Sequence, residues 1–170
     1  LKLGVVAGGA MLVASEFKKA IAYSIEFEKT LSNLRALTGA SAADMKYYRE
    51  AATEVGTAMG KTGLEMAEAF KVVGSGKSEL LKNKEGLVEV TTAAITLSKA
   101  SGEDLKTSAD SLVVAMNQFN APAREANRYI NAMTAGAKEG AAEVPNLTAS
   151  LTKFGSVAAA LQIPIEQSIA

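Results

Sequence analysis

Apolar residues return at steps of three and four along almost the whole chain, in runs cut short by glycine, proline and helix-capping residues. That period marks helices with one apolar face. The first run predicts a helix from near Val5 to Leu37, with Phe27, Leu31 and Leu34 on its apolar side and Gly39 closing it. Ser41, ahead of Ala42, Ala43 and Asp44, reads as the cap of a second helix carrying Met45, Tyr48, Ala52, Val55 and Met59. Gly56, Gly60 and Gly63 loosen its end. Thr62 and Glu65 form a capping-box pattern before Met66, Phe70 and Val73, with a stop expected at Gly74.

Residues Gly74 to Asn83 read as the longest connection. A helix over about Glu85 to Ala100 follows, with Leu87, Val90, Ala94 and Leu97 on one side. Ser101 to Asp104 cap the next, which carries Leu105, Ala109, Leu112, Met116 and Phe119. Pro122 suits the first turn of a helix bearing Ala126, Ile130 and Met133, because its missing N–H has no partner there anyway. Pro145 opens the last full helix, with Leu147, Leu151, Phe154, Ala158 and Leu161, and Pro164 with Glu166 marks another start.

Each stripe is one side wide, so each helix must dock on a partner. The runs are too short for one continuous coiled coil. The expected fold is therefore all-α: about seven short amphipathic helices arranged as packed helical hairpins. A faint echo sets Ser41-Ala-Ala-Asp44-Met45-Lys46 beside Ser101-Gly-Glu-Asp104-Leu105-Lys106, with Glu65 and Glu125 at matching offsets. A repeat of helical pairs and a coincidence of capping signals explain it equally well.

Composition strengthens the helical reading. Ala supplies 32 residues and Trp none, and aromatics make up only 5% of the chain, so small side chains must fill the buried space. Charge is balanced, 18 basic against 18 acidic, which argues against specific nucleic-acid binding. Lys71, Lys77, Lys82 and Lys84 are interleaved with Glu79 and Glu85 and read as a solvated loop rather than a polyanion site.

The absence of Cys and His removes thiol nucleophiles, imidazole bases and the usual zinc, copper and haem ligands. Gly74-Ser-Gly76-Lys77-Ser78 lacks the first glycine and the preceding strand of a phosphate loop. The carboxylate pairs Glu26 with Glu28 and Glu65 with Glu68 have no aromatic platform for a sugar, so they read as solvated helix faces. Asn117, Gln118 and Asn120 are expected to satisfy groups at a helix end. No catalytic, cofactor-binding or metal residues are assigned, no cofactor is expected, and the chain is read as no enzyme.

Residues 1–25 stand apart as a Gly/Ala-rich apolar helical lead-in to a helical body over residues 26–170. Leu3 to Ala14 is too short an apolar run to span a bilayer. Gly4 and Gly8 suit close packing on protein better than a membrane pair. A chain starting at Leu1 is expected to be cut from something longer.

Read together, several stretches resemble the core region of phage tail tape measure proteins. They are Phe27-Glu28-Lys29 through Ser41, Gly74 to Asn83, Ala93 to Gly102, Ala115 to Phe119, Ala135 to Ala141 and Phe154 to Ala158. The likeness spans roughly residues 20–170 and lies in the order and spacing of the stretches. One departure is Ser78, where Pro is expected.

The resemblance implies a structural virion component that sits in the tail tube or tip, helps set tail length and assembly, and is released during genome ejection. It implies self-association, as a homotrimer, and contact with tail tube, distal tail and baseplate hub proteins. It also implies a place in the phage tail lumen or tip, with the host cytoplasm as the site of assembly. The lead-in would then line a symmetry axis or meet the host membrane after release. The alternative is a membrane-active or pore-forming helical translocated protein.

Overall fold

The computed structural model describes residues 4–140 and 142–169, with side chains from residue 14 onward. Among the described residues there are eight α-helices, two 3-10 turns and no strand. The helices are α1 (Gly4–Thr38), α2 (Ala42–Ala58), α3 (Gly63–Gly76), α4 (Lys84–Ser101), α5 (Leu105–Gln118), α6 (Ala126–Glu139), α7 (Val144–Ala160) and α8 (Ile165–Ser168). The all-α reading holds.

Local chemistry sets most of the helix starts. The Ser41 hydroxyl accepts from the Asp44 N–H and opens α2. At α3 the full capping box forms: Thr62 accepts from the Glu65 N–H, and the Glu65 carboxylate accepts from the Thr62 N–H at 2.8 Å. Asn83 and Asp104 serve α4 and α5 in the same way. Each cap satisfies an amide that the first helical turn leaves without a partner. Gly39 and Gly102 close α1 and α4 in the left-handed region, at φ +65° and +78°.

Packing then arranges the helices. α3 lies against α1, α2, α4 and α5, while α4 also carries α6, and α7 rests on α5. Leu34, Met66, Phe70, Val73, Leu87, Leu97, Leu112, Met116 and Met133 are fully buried, as their stripes predict. Between them sit Ala52, Ala67, Ala94, Ala109 and Ala115, also fully buried, which lets backbones approach closely. Gly155 shows how closely α7 meets α5: a Cβ there would lie 2.9 Å from the Gln118 Cβ.

The structure corrects the sequence reading in several places. α3 runs two residues past Gly74, which is buried inside the helix with the Leu81 side chain close against it, where a Cβ would meet that side chain at 2.8 Å. The connection to Asn83 is no open loop; it contains the 3-10 turn Ser78–Lys82, whose Leu80 is buried. Pro122 precedes a second 3-10 turn, Ala123–Glu125, and α6 begins only at Ala126. The echo between Ser41 and Ser101 does not survive, since Ser41 caps α2 whereas Asp104, three residues after Ser101, caps α5.

Phe154 on α7 and Leu161, which follows its last residue, are exposed rather than in the core. No described helix is long and apolar enough to cross a membrane. The side chains of the lead-in up to residue 13, with its Gly4 and Gly8 pair, lie outside the described residues.

The capping box gives the first test. Thr62→Ala removes an N-cap from the most enclosed helix and is expected to cost about 1 kcal/mol. Thermal unfolding followed by circular dichroism should show a melting point lower by roughly 2–4 °C.

Candidate functional site

Charged and polar groups are spread over the helical body, and most are engaged with one another. Arg49 on α2 clasps Glu28 on α1 through paired hydrogen bonds and lies over the Phe27 ring, 5.7 Å from its centroid. Lys84 at the start of α4 donates to Asp44 at 2.8 Å and stands over the Tyr47 ring. Arg128 on α6 holds Glu166 on α8 through 2.6 and 2.9 Å bonds and reaches Glu125 as well. Each bridge ties one helix to another, but each is exposed, so none alone adds much stability.

The carboxylate pairs singled out in the sequence are divided by the fold. Glu28 is engaged by Arg49 and Glu26 by Lys29, while Glu65 closes its capping box and Glu68 faces solvent. Hydrogen bonding with Arg49 holds the Glu28 carboxyl below its usual range, and that with the Thr62 backbone does the same for Glu65. Neither resembles a carboxyl acid kept protonated near neutrality, which general-acid chemistry requires. Burial pushes the Tyr48 and Tyr129 phenols up to about 12, as expected of core rings. Among the described residues no group of acidic side chains is gathered to hold a metal ion.

The four lysines do not form one patch. Lys82 is exposed, Lys84 is spent on Asp44, and Lys71 edges a shallow groove of about 1000 Å³ between α3, α5 and α7, with Asp104, Lys106 and Asp110 along the same rim. Lys77 is the exception to the solvated-loop reading: its side chain is only 1% exposed. Its ammonium group sits 2.7 Å from the Glu79 carboxylate and 3.5 Å from Asn117 Oδ1. The reason is mutual support. Asn117 Nδ2 donates to the Gly76 carbonyl at 2.7 Å, filling an acceptor that the end of α3 leaves open, and thereby brings its amide oxygen over Lys77. Asn117 thus does satisfy a helix end, but that of α3 rather than its own.

Sequence reasoning missed the uncovered apolar side chains. Phe17, Ile21 and Ile25 on α1 and Phe154, Val157 and Leu161 on α7 all stand exposed. The sequence held no signal for this on α7, where Leu147, Leu151, Phe154, Val157, Ala158 and Leu161 fall on one stripe of ordinary width. Exposed patches of this kind mark contact surfaces.

Two expectations follow. Asn117→Ala removes the exposed bond to the Gly76 carbonyl and leaves Lys77 with Glu79 alone, and urea unfolding should register a loss of about 1 kcal/mol. The second concerns pH. The Glu28, Asp44, Asp104 and Glu166 carboxyls are all held below their ordinary values, chiefly by side-chain hydrogen bonds with Arg49, Lys84, Thr107 and Arg128 respectively. Their contribution is complete above the unfolded carboxylate values, about 4, and is lost as pH falls through the lower folded values. Urea midpoints should stay level from neutrality toward pH 5, by about the same reference values, and then decline with acid.

A family model for phage-related minor tail proteins matches residues 49–170. Neither the curated proteins nor the solved structures give a match. The matched stretch starts within α2 and takes in every later helix, well over half of the chain. On that extent, the chain belongs to the phage-related minor tail protein family.

Proposed function

We propose that this chain is a segment of a phage tail tape measure protein: a structural, non-catalytic virion component housed in the tail tube or tip. In this reading it helps set tail length and assembly and is released during genome ejection. The observation that carries it is the family match over residues 49–170, which makes the chain a minor tail protein.

The geometry supports the finer assignment in two respects. Alanine and glycine at the helix contacts give closely spaced helices, suited to a confined lumen. Apolar faces on α1 and α7 remain for contacts with other chains. The resemblance to tape measure proteins implies which chains these are: copies of the same chain, as a homotrimer, and the tail tube, distal tail and baseplate hub subunits. Assembly takes place in the host cytoplasm.

The test lies in purified particles. Peptides from this chain should appear in mass spectra of isolated tails, and the tagged chain should co-purify with tube or distal-tail subunits. In-frame shortening of the encoding gene outside residues 49–170 should shorten the tails seen by electron microscopy. Tails of unchanged length refute the tape measure role, and tails free of these peptides refute a place in the virion.

A further inference from the structure

From Ala14 to Glu26, every side chain of α1 is exposed. This is a stretch of about 20 Å of helix, touched among the described residues by the start of α3 at Tyr23 and otherwise left open to solvent. The helix is anchored in the body only further along, at Leu31 and Leu34. Most helical stability comes from packing of an apolar face, so a partner along the open stretch would stabilise it. Its pattern says where the partner lies. Phe17, Ala20, Ser24, Phe27, Leu31 and Leu34 recur at steps of 3, 4, 3, 4 and 3, a heptad seam that Ile21 flanks.

The lower half of this seam is already an interface. Leu31 and Leu34 are buried in the core against the rest of the body, and Phe27 is half-buried. The cover ends where α3 begins: a Cβ at Gly63 would touch Tyr23 Oη and the Phe27 ring, and the Leu64 N–H donates to Tyr23 Oη at 3.2 Å. Beyond that point the same seam continues with the same spacing, and Phe17 is 67% exposed.

Charge decides between a protein and a lipid occupant. Residues 15–29 carry Glu16, Glu26 and Glu28 against Lys18, Lys19 and Lys29, so they have no net charge. Glu16 with Lys19 and Glu26 with Lys29 already pair within the helix. A helix lying on anionic lipid carries a cationic polar face instead. A neutral helix with alternating large and small seam residues fits another helix of the same kind, knob into hole.

We infer that the seam over Phe17, Ala20, Ile21 and Ser24 is covered by α1 of a second copy of this chain. This names the surface for the self-association within the proposed function, and it rests on that reading only for its setting in the tail.

The test is sedimentation velocity of the 170-residue chain over a range of concentration. The unaltered chain should form an oligomer. Phe17→Asp with Ile21→Asp should abolish it, while Ala22→Asp, on the opposite side of α1, should leave it intact. All three positions are exposed, so melting curves should match the parent, and Phe17→Ser serves should the double variant melt early. A chain that stays monomeric throughout, an oligomer indifferent to the seam variants, or equal dissociation by Ala22→Asp overturns the inference. So does flotation of the chain as a monomer with vesicles of phosphatidylcholine and phosphatidylglycerol. A monomer that still co-purifies with tail subunits sinks the seam and spares the tail role; an oligomer without tail partners does the reverse.

Discussion

The structure depends on the enclosure of α3. This helix of 14 residues buries Met66, Ala67, Ala69, Phe70, Val73 and Gly74, and meets α1, α2, α4 and α5 around its circumference. Its solvent side is narrow: Glu68 and Ser75, two turns apart, are exposed, and the apolar remainder meets its four neighbours. The apolar area removed from solvent on α3 therefore stabilises four other helices at once. The contact of the Tyr48 and Phe70 rings, with centroids 5.8 Å apart, joins α2 to α3 and is one visible part of that arrangement.

Although Thr62, Ser75 and Gly76 are exposed, the orphan groups at both ends of α3 find partners within the protein. At the start of α3 the Thr62 and Glu65 box supplies two partners and Tyr23 of α1 supplies a third. At its other end Asn117 of α5 takes the Gly76 carbonyl, and the buried Lys77 is neutralised by Glu79. Both ends are thus tied to helices distant in sequence, so α1 and α5 are positioned by polar bonds as well as by packing. A buried lysine costs free energy unless it is paired, which makes the exposed Glu79 more consequential than its position suggests.

What the sequence revealed divides along the same line. Caps at Ser41 and Thr62 were legible because each signal lies within four residues of its partner. Core positions on α4 and α5 were legible because a periodic stripe names its own buried face. The end of α3 was not legible, because Gly74 reads locally as a stop while it is buried inside the helix against Leu81. The burial of Lys77 depends on Asn117, forty residues away, and no local pattern carries that. Candidate chemistry was legible only in the negative, through a chain without Cys or His.

The uncovered faces belong to the same account. A stripe states which side of a helix seeks cover and is silent on what supplies it. On α7 the apolar arc is shared: Leu151 and Gly155 meet the body, while Phe154, Val157 and Leu161 look outward. On α1 the division runs along the helix instead, with Leu31 and Leu34 covered and Phe17 bare. The family match begins at Arg49, so the body from the second half of α2 onward lies within the shared region, whereas α1 precedes it. Both α1 and α7 therefore divide one apolar surface: part of it closes the body, and the remainder stands exposed with the same kind of side chain that holds the body together.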